Sequence, residues 1–284
     1  MDDLLIIFFR KWVAGDHLED ALRKASGENE TGVKAIINFL GEHYDDKKNV
    51  DLARAMYVRA VSEIKQKKIN SAISVKPSQL GLCISREFCQ QVLDEVIDQA
   101  KKSGIFVWID MESYRFFKDT LQIFEGLRKK FDNLGITLQA NIRESLDNAK
   151  RISKSGGIIR LVRGAYKEKS DVAYSSADAI EKSFEKIMAF LFSQNNYFAI
   201  ASHDYCTLKE AVRLSRKFSR DFEFQVLMGI NDELMMTLAK KYKVAEYIPF
   251  GHDWLKYVFR RLKEERKDIF LLVKKLAQSV EHGF

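Results

Sequence analysis

Apolar residues change their spacing along the chain, and the changes mark out the elements. Short runs rich in β-branched and apolar residues occur at 33–39, 71–76, 105–110, 136–140, 158–163, 198–202, 222–226 and 244–249. Between them, stretches such as 50–67, 87–102 and 176–193 repeat their apolar residues every three to four positions, the period of an amphipathic helix. Successive runs begin roughly 15 to 40 residues apart, and the series fills the ~250 residues that a closed eight-fold strand–helix repeat needs. Ser103-Gly104, Leu134-Gly135 and Ser155-Gly156-Gly157 read as helix stops just before a run. The pattern predicts a (β/α)₈ TIM-type barrel of class α/β. An open doubly wound sheet obeys the same local rules, and the first run is also open to a helical reading. Before it, Leu4, Leu5, Phe8, Phe9 and Trp12 fall at helical spacing and a polar break covers 27–31. The expected organisation is one domain over 1–284. It has N-terminal helices within 1–31, a barrel over 32–265, and a C-terminal helix over 266–284.

Composition narrows the class. The 284 residues are 46% hydrophobic and 31% charged with two prolines, a globular balance that excludes a disordered or collagen-like chain. The longest apolar run, 4–9, is too short to span a bilayer, and Asp2 and Asp3 stand where a secretory signal needs positive charge. Cys83, Cys89 and Cys206 lack paired spacing and read as free thiols of a reducing cytoplasm. The net charge of +7 allows three partners: nucleic acid, an anionic membrane face or an anionic ligand. Most aromatics lie in the apolar runs rather than among lysines on loops, which argues against nucleic acid. Lys256, Arg260, Arg261, Lys263, Arg266, Lys267, Lys274 and Lys275 face only three acids, in a stretch that also holds Ile269-Phe270-Leu271-Leu272-Val273. Such a basic and apolar segment suits either packing on a barrel or a peripheral membrane contact.

The chemistry gathers at the ends of the runs. No Walker loop and no G-x-G-x-x-G occurs. Polar residues instead close the runs: Lys76, Asp110 with Glu112, Gln139 with Asn141, Arg160 with Arg163, Ser202 with His203 and Asp204, Gln225, and Tyr247. In a closed parallel barrel these ends converge on one mouth, where the active site of this fold lies. Taken singly, each has an ordinary reading, as helix cap, strand exit or core histidine. Arg160 is more telling, because alternation sets it on the face opposite Ile159 and Leu161, and a buried guanidinium needs an anionic or strongly polar partner. That partner is either Asp110 across the barrel or an electron-rich ligand. Over 252–265, Tyr257, Arg260, Arg261 and Glu264 share one helical face, directed at water or, as paired planar forks, at a carboxylate. Lys76 also suits a Schiff-base aldolase on the same barrel, the rival reading.

Several segments together resemble the proline dehydrogenase family. Arg160-Leu161-Val162-Arg163-Gly164-Ala165-Tyr166 is similar to its R-L-V-K-G-A-Y signature, and Ala201-Ser202-His203 to its A-T-H motif. Glu223-Phe224-Gln225-Val226-Leu227-Met228-Gly229 resembles E-F-Q-x-L-x-G. The segment Tyr247-Ile248-Pro249-Phe250-Gly251, with Tyr257, Arg260-Arg261 and Glu264 after it, resembles Y-x-P-x-G…Y-x-x-R-R-x-x-E. Val75-Lys76-Pro77-Ser78-Gln79-Leu80-Gly81 and Ile109-Asp110-Met111-Glu112 also fit, in order, so the likeness runs from about Val33 to Glu264. The resemblance implies a flavoenzyme that oxidises L-proline to Δ1-pyrroline-5-carboxylate on FAD and passes electrons to a membrane quinone. It implies a final helix over the barrel mouth. It also implies a cytoplasmic location with peripheral contact at the inner face of the cell membrane, a pyrroline-5-carboxylate dehydrogenase as partner, no metal and no nucleic acid. By the same likeness, Asp110, Arg160 and Tyr247 are the catalytic group. Lys76, Arg260 and Arg261 hold the carboxylate, and Leu161, Tyr166, Tyr247 and Tyr257 enclose the ring. Met111, Gln139, Arg160, Arg163, Gly164, Ala165, Ser202, His203, Gln225 and Glu264 bind FAD. Arg163 stands where the family has lysine, Ser202 where it has threonine, Asn38 where aspartate is common, and Pro77 where leucine is usual.

Overall fold

The computed structural model describes residues 11–255, 257, 258 and 261. Eight parallel strands run in sequence order: β1 (Lys34–Phe39), β2 (Ser71–Val75), β3 (Val107–Ile109), β4 (Leu134–Gln139), β5 (Ile158–Val162), β6 (Phe198–Ala201), β7 (Phe222–Leu227) and β8 (Lys243–Phe250). β1 pairs with β2 on one edge and with β8 on the other, Ile36 lying beside Ala72 and Tyr247. That second pairing closes the sheet into a barrel and excludes the open doubly wound alternative. It also settles the first run as a strand, since its isoleucines sit between two neighbours. Strands so enclosed are covered on both faces, which is why they read as continuous apolar runs rather than as alternation.

The lumen is filled by Ile36, Ala72, Trp108, Ala199 and Ala245, while the larger core lies between the strands and the surrounding helices. Trp108 explains a feature that the sequence misassigns. Leu134-Gly135 does not stop a helix; it opens β4, beside Trp108. A Cβ on Gly135 would come within 2.6 Å of the Trp108 ring, so the glycine makes room for the indole.

Helices α1 (Leu18–Glu30), α2 (Lys47–Gln66), α3 (Arg86–Lys102), α4 (Tyr114–Arg128), α5 (Ser145–Lys154), α6 (Ala177–Ser193), α7 (Tyr205–Phe218) and α8 (Asp232–Ala239) complete the element order among the described residues. Asp46, Ser85, Ser176, Asp204 and Asn231 each accept a hydrogen bond from a first-turn N–H, satisfying a donor that the helix itself leaves open. α1 runs through Gly27, where a polar break was expected; Gly27 has open space around it, and the chain turns instead at Gly32, with φ of +82°. α1 packs outside β1 and β8, on the side where the barrel closes. Beyond β8, residues 254, 255, 257, 258 and 261 are helical. Residues 1–10, Arg260, Glu264 and the expected helix over 266–284 lie outside the described residues.

Candidate active site

A cavity of about 550 Å³ opens at the C-terminal ends of the strands. Lys76, Asp110 and Met111 reach it from the ends of β2 and β3, and Gln139 from β4. The end of β5 and its loop supply Arg160, Arg163, Gly164, Ala165 and Tyr166. Ser202, His203, Gln225 and Tyr247 follow from β6, β7 and β8, and Tyr257 with Arg261 line it from the helical residues beyond. The residues expected to serve catalysis, substrate and cofactor therefore meet at one mouth, with three exceptions. Arg260 and Glu264 are outside the described residues. Leu161 is wholly buried in the core between strands and helices, because alternation along β5 turns Arg160 and Val162 inward and Leu161 outward.

Arg160 is the hub, and it is buried. Its Nε donates to Thr137 Oγ1 at 2.9 Å, one terminal nitrogen to Gln225 Oε1 at 3.1 Å, and the other to Ser74 Oγ at 2.9 Å and to Asp110 Oδ1. The guanidinium lies 5.0 Å from the Trp108 ring centre and 5.8 Å from that of Tyr247, a cation–π arrangement. Residues of β2, β3, β4, β7 and β8 thus surround one charge, and the salt bridge to Asp110 expected as an alternative to ligand contact is present beside the cavity rather than instead of it.

Asp110 collects the opposite set. Ser74 Oγ donates to Oδ1 at 2.9 Å, Tyr247 Oη donates to Oδ2 at 2.9 Å, and Lys76 Nζ lies 3.9 Å from Oδ2. Burial and the nearby Asp110 charge push the Tyr247 phenol far above its ordinary range, so it remains a donor. Lys76 Nζ also donates to Asn38 Oδ1 at 3.0 Å, and Asn38 is itself turned by donating to Ser74 O at 2.9 Å. Sequence reasoning missed Ser74, Thr137 and the role of Asn38. Ser74 shares inward parity with Lys76, and Thr137 with Gln139, which is the signal that would have found them.

Glu112 closes a run but does not line the cavity. It is buried and accepts from Ser78 N at 2.9 Å and Ser78 Oγ at 2.6 Å, fixing the loop that follows Lys76. Burial outweighs these donors and pushes its carboxyl up to about 7. His203 shifts the other way: burial, then the Arg261 charge, lowers it to about 4. Its Nε2 accepts from Leu227 N at 2.9 Å, so the neutral ring carries its proton on Nδ1.

The loop after β5 comes close to its neighbours. Gly164 has φ of +102°, and a Cβ there would lie 2.0 Å from Asn141 Oδ1, a buried oxygen without a hydrogen-bond partner. Gln139 commits its amide hydrogens to Met111 O at 3.2 Å and Glu112 O at 3.1 Å. Arg163, exposed, pairs with Glu181 at 3.3 Å. Among the described residues the cavity lining sets four cations, Lys76, Arg160, Arg163 and Arg261, against two carboxylates, Asp110 and Asp204, and so favours an anion. Among the described residues no cluster of His, Cys, Asp and Glu could hold a metal ion, and no helix is long and apolar enough to cross a membrane.

Known proteins match this chain over most of its length. The family model described as proline dehydrogenase matches residues 21–269. Proline dehydrogenase 1 of Bacillus subtilis (strain 168) is 31% identical over 269 residues, covering 93% of this chain and 89% of that protein. Proline dehydrogenase of Deinococcus radiodurans is 28% identical over 280 residues, covering 93% and 88%. Among solved structures, proline utilization A (PutA) from Bdellovibrio bacteriovorus, inactivated by N-propargylglycine, superposes with a TM-score of 0.86 at 21% identity. It covers 92% of this chain, which in turn spans about a third (33%) of the PutA chain.

Proposed function

The chain belongs to the proline dehydrogenase family, and from that membership we propose that it oxidises L-proline to Δ1-pyrroline-5-carboxylate, with FAD held at the barrel mouth. The observation that carries the reading is the cationic mouth: Lys76, Arg160, Arg163 and Arg261 against two carboxylates, Asp110 and Asp204, beside an aromatic wall of Tyr166, Tyr247 and Tyr257.

Each part of the substrate has a counterpart there. Its carboxylate suits Lys76 and Arg261, the guanidinium as a planar fork and the ammonium as a point charge. Arg260 joins them by sequence. The apolar ring suits the tyrosine faces. The amine must be neutral when its lone pair becomes the C=N bond, and surrounding cations disfavour an ammonium. Asp110 holds Arg160 in place, and Tyr247 Oη, donating to Asp110 Oδ2, fixes the other carboxylate oxygen. Arg160 then stands as a fixed positive charge where negative charge develops.

The residues present also fit the cofactor. Gly164, in the cavity wall, lets the loop backbone lie directly against Asn141, whose buried Oδ1 has no hydrogen-bond partner. Arg163 offers a cation and His203 Nδ1 a donor, while Met111, Gln139, Ala165, Ser202 and Gln225 complete the wall. Bound FAD would supply the hydride acceptor. The quinone acceptor and a pyrroline-5-carboxylate dehydrogenase partner belong to the same proposal and rest on the family resemblance alone. A contact with the membrane face rests also on the basic and apolar composition of 256–275, and the single-domain division on the strand–helix pattern of the sequence. The hydrogen bond from Lys76 to Asn38 and its nearness to Asp110 support the carboxylate-gripping role over that of an aldolase nucleophile.

A visible spectrum of the purified protein tests the reading. The protein should be yellow, and anaerobic L-proline should bleach its flavin absorption. A colourless protein, or one trapped on Lys76 by borohydride with a keto substrate, would refute the proposal.

A further inference from the structure

The cavity is roofed in part by residues that the main core does not hold. Tyr257 and Arg261 line it from a helical segment, with the guanidinium 5.5 Å from the tyrosine ring centre. Behind them lies a small separate cluster of Trp12, Val13, Leu40, Tyr257 and Val258, with Ile230 and Trp254 packed against it. Trp12 is its largest fully buried member.

Trp12 arrives on a strap, residues 11–15, laid across the rim of the barrel. Ala14 N–H donates to Pro249 O at 2.9 Å, and Gly251 N–H donates to Gly15 O at 2.9 Å, which ties the strap to the end of β8. At its other end the Lys11 carbonyl passes over Gly229. A Cβ there would lie 2.1 Å from Lys11 O, and the φ of +70° is one that glycine adopts freely. The family match begins at residue 21 and does not include the strap.

We propose that Trp12 is a positioning residue for substrate binding, a wedge against Trp254, Tyr257 and Val258 that sets where Tyr257 and Arg261 stand over the cavity. The inference rests on the proposed function in one respect, that the carboxylate gripped there belongs to the substrate. The physical ground is the separation of the two clusters. A guanidinium on a long side chain recognises a carboxylate only if its helix is fixed, and Trp254, Tyr257 and Val258 are held in a cluster that the strap builds together with Leu40 and Ile230. Shaving the indole removes the largest contact of that anchor. Such a loss weakens ground-state and transition-state binding alike, and so appears in KM before kcat.

The test uses the full chain: wild type, Trp12→Ala, Trp12→Phe, and Phe192→Ala as a large-to-small change in the main core far from the mouth. Trp12→Ala should raise KM for L-proline by about tenfold with kcat within about threefold and flavin content unchanged, and Trp12→Phe should restore most of the affinity. Phe192→Ala should lower the thermal midpoint at unaltered KM. A Trp12→Ala KM within about twofold of wild type, or an equal rise in Phe192→Ala, overturns the proposal. If Trp12→Ala does not fold, Val13→Ala on the same strap takes its place, and an unchanged KM there is equally fatal. A second readout needs no turnover: modification of Arg261 by an arginine-directed reagent, located by peptide mapping. It should run faster in the strap variant than in wild type or Phe192→Ala, and equal rates overturn the proposal. A wild type that L-proline does not bleach would refute the functional reading, and the modification rates would still decide the strap.

Discussion

Ser74→Ala is the sharpest probe of the charge cluster. The hydroxyl has no exposed surface and bridges opposite charges, donating to Asp110 Oδ1 at 2.9 Å and accepting from Arg160 at 2.9 Å. Its removal leaves almost no cavity, so packing contributes little. Each charge-assisted hydrogen bond is worth about 1.5–3 kcal/mol, and the two share one oxygen, so they do not add in full. The direct Arg160–Asp110 contact survives, which keeps the loss below the ~3–5 kcal/mol of breaking a buried pair outright. The expected destabilisation is about 2–4 kcal/mol. Ser71 on the same strand supplies the control: it is buried too, but its hydroxyl meets only the backbone oxygens of Ala35 and Ala72. Ser71→Ala should therefore cost about 1 kcal/mol or less. Urea unfolding of both variants at one pH, with unchanged m-values, gives the comparison. A Ser74→Ala loss no greater than that of Ser71→Ala would refute the view that this hydroxyl neutralises a charge pair.

Two further predictions concern protons. Burial raises the Glu112 carboxyl from 4.5 to about 7, so the folded protein keeps a proton that the unfolded chain releases; its contribution to stability falls as pH rises from 4.5 to about 7 and is level above. Glu112→Gln should flatten that part of the urea-midpoint profile by up to ~3 kcal/mol, and identical slopes in the two proteins would refute the assignment. His203 is lowered from 6.5 to about 4, so it contributes stability that is complete above 6.5 and is lost as pH falls toward 4. NMR of its ring should show a neutral imidazole at pH 5.5, and a midpoint at or above 6.5 would contradict the arrangement with Arg261.

The barrel was legible because its strands are enclosed on both faces, and the site because polar residues end those strands. Parity is where the reading fell short. Attention to strand ends alone passed over Ser74 and Thr137, which lie one inward position earlier and complete the Arg160 shell. The same parity already set Leu161 on the face away from Arg160, against the role that the family likeness implied for it. Gly135 misled for another reason, since a glycine demanded by Trp108 on the adjacent strand looks, in one dimension, like a helix stop. Trp12 falls at helical spacing with Leu4 to Phe9 in the sequence, yet it lies in a turn, because it is held by Leu40 and by Tyr257 and Val258 from far along the chain rather than by a helix of its own.

The pairing of β1 with β8 also dictates when the molecule can form. During synthesis α1 and β1 leave the ribosome before the other elements of the barrel, and β8, against which both pack, is the last of its strands to follow. Until then the apolar stripe of Leu18, Ala21, Leu22 and Ala25 lacks half its cover, and one edge of the growing sheet stands unpaired. Nascent chains halted before Lys243 should accordingly be the ones that chaperones hold.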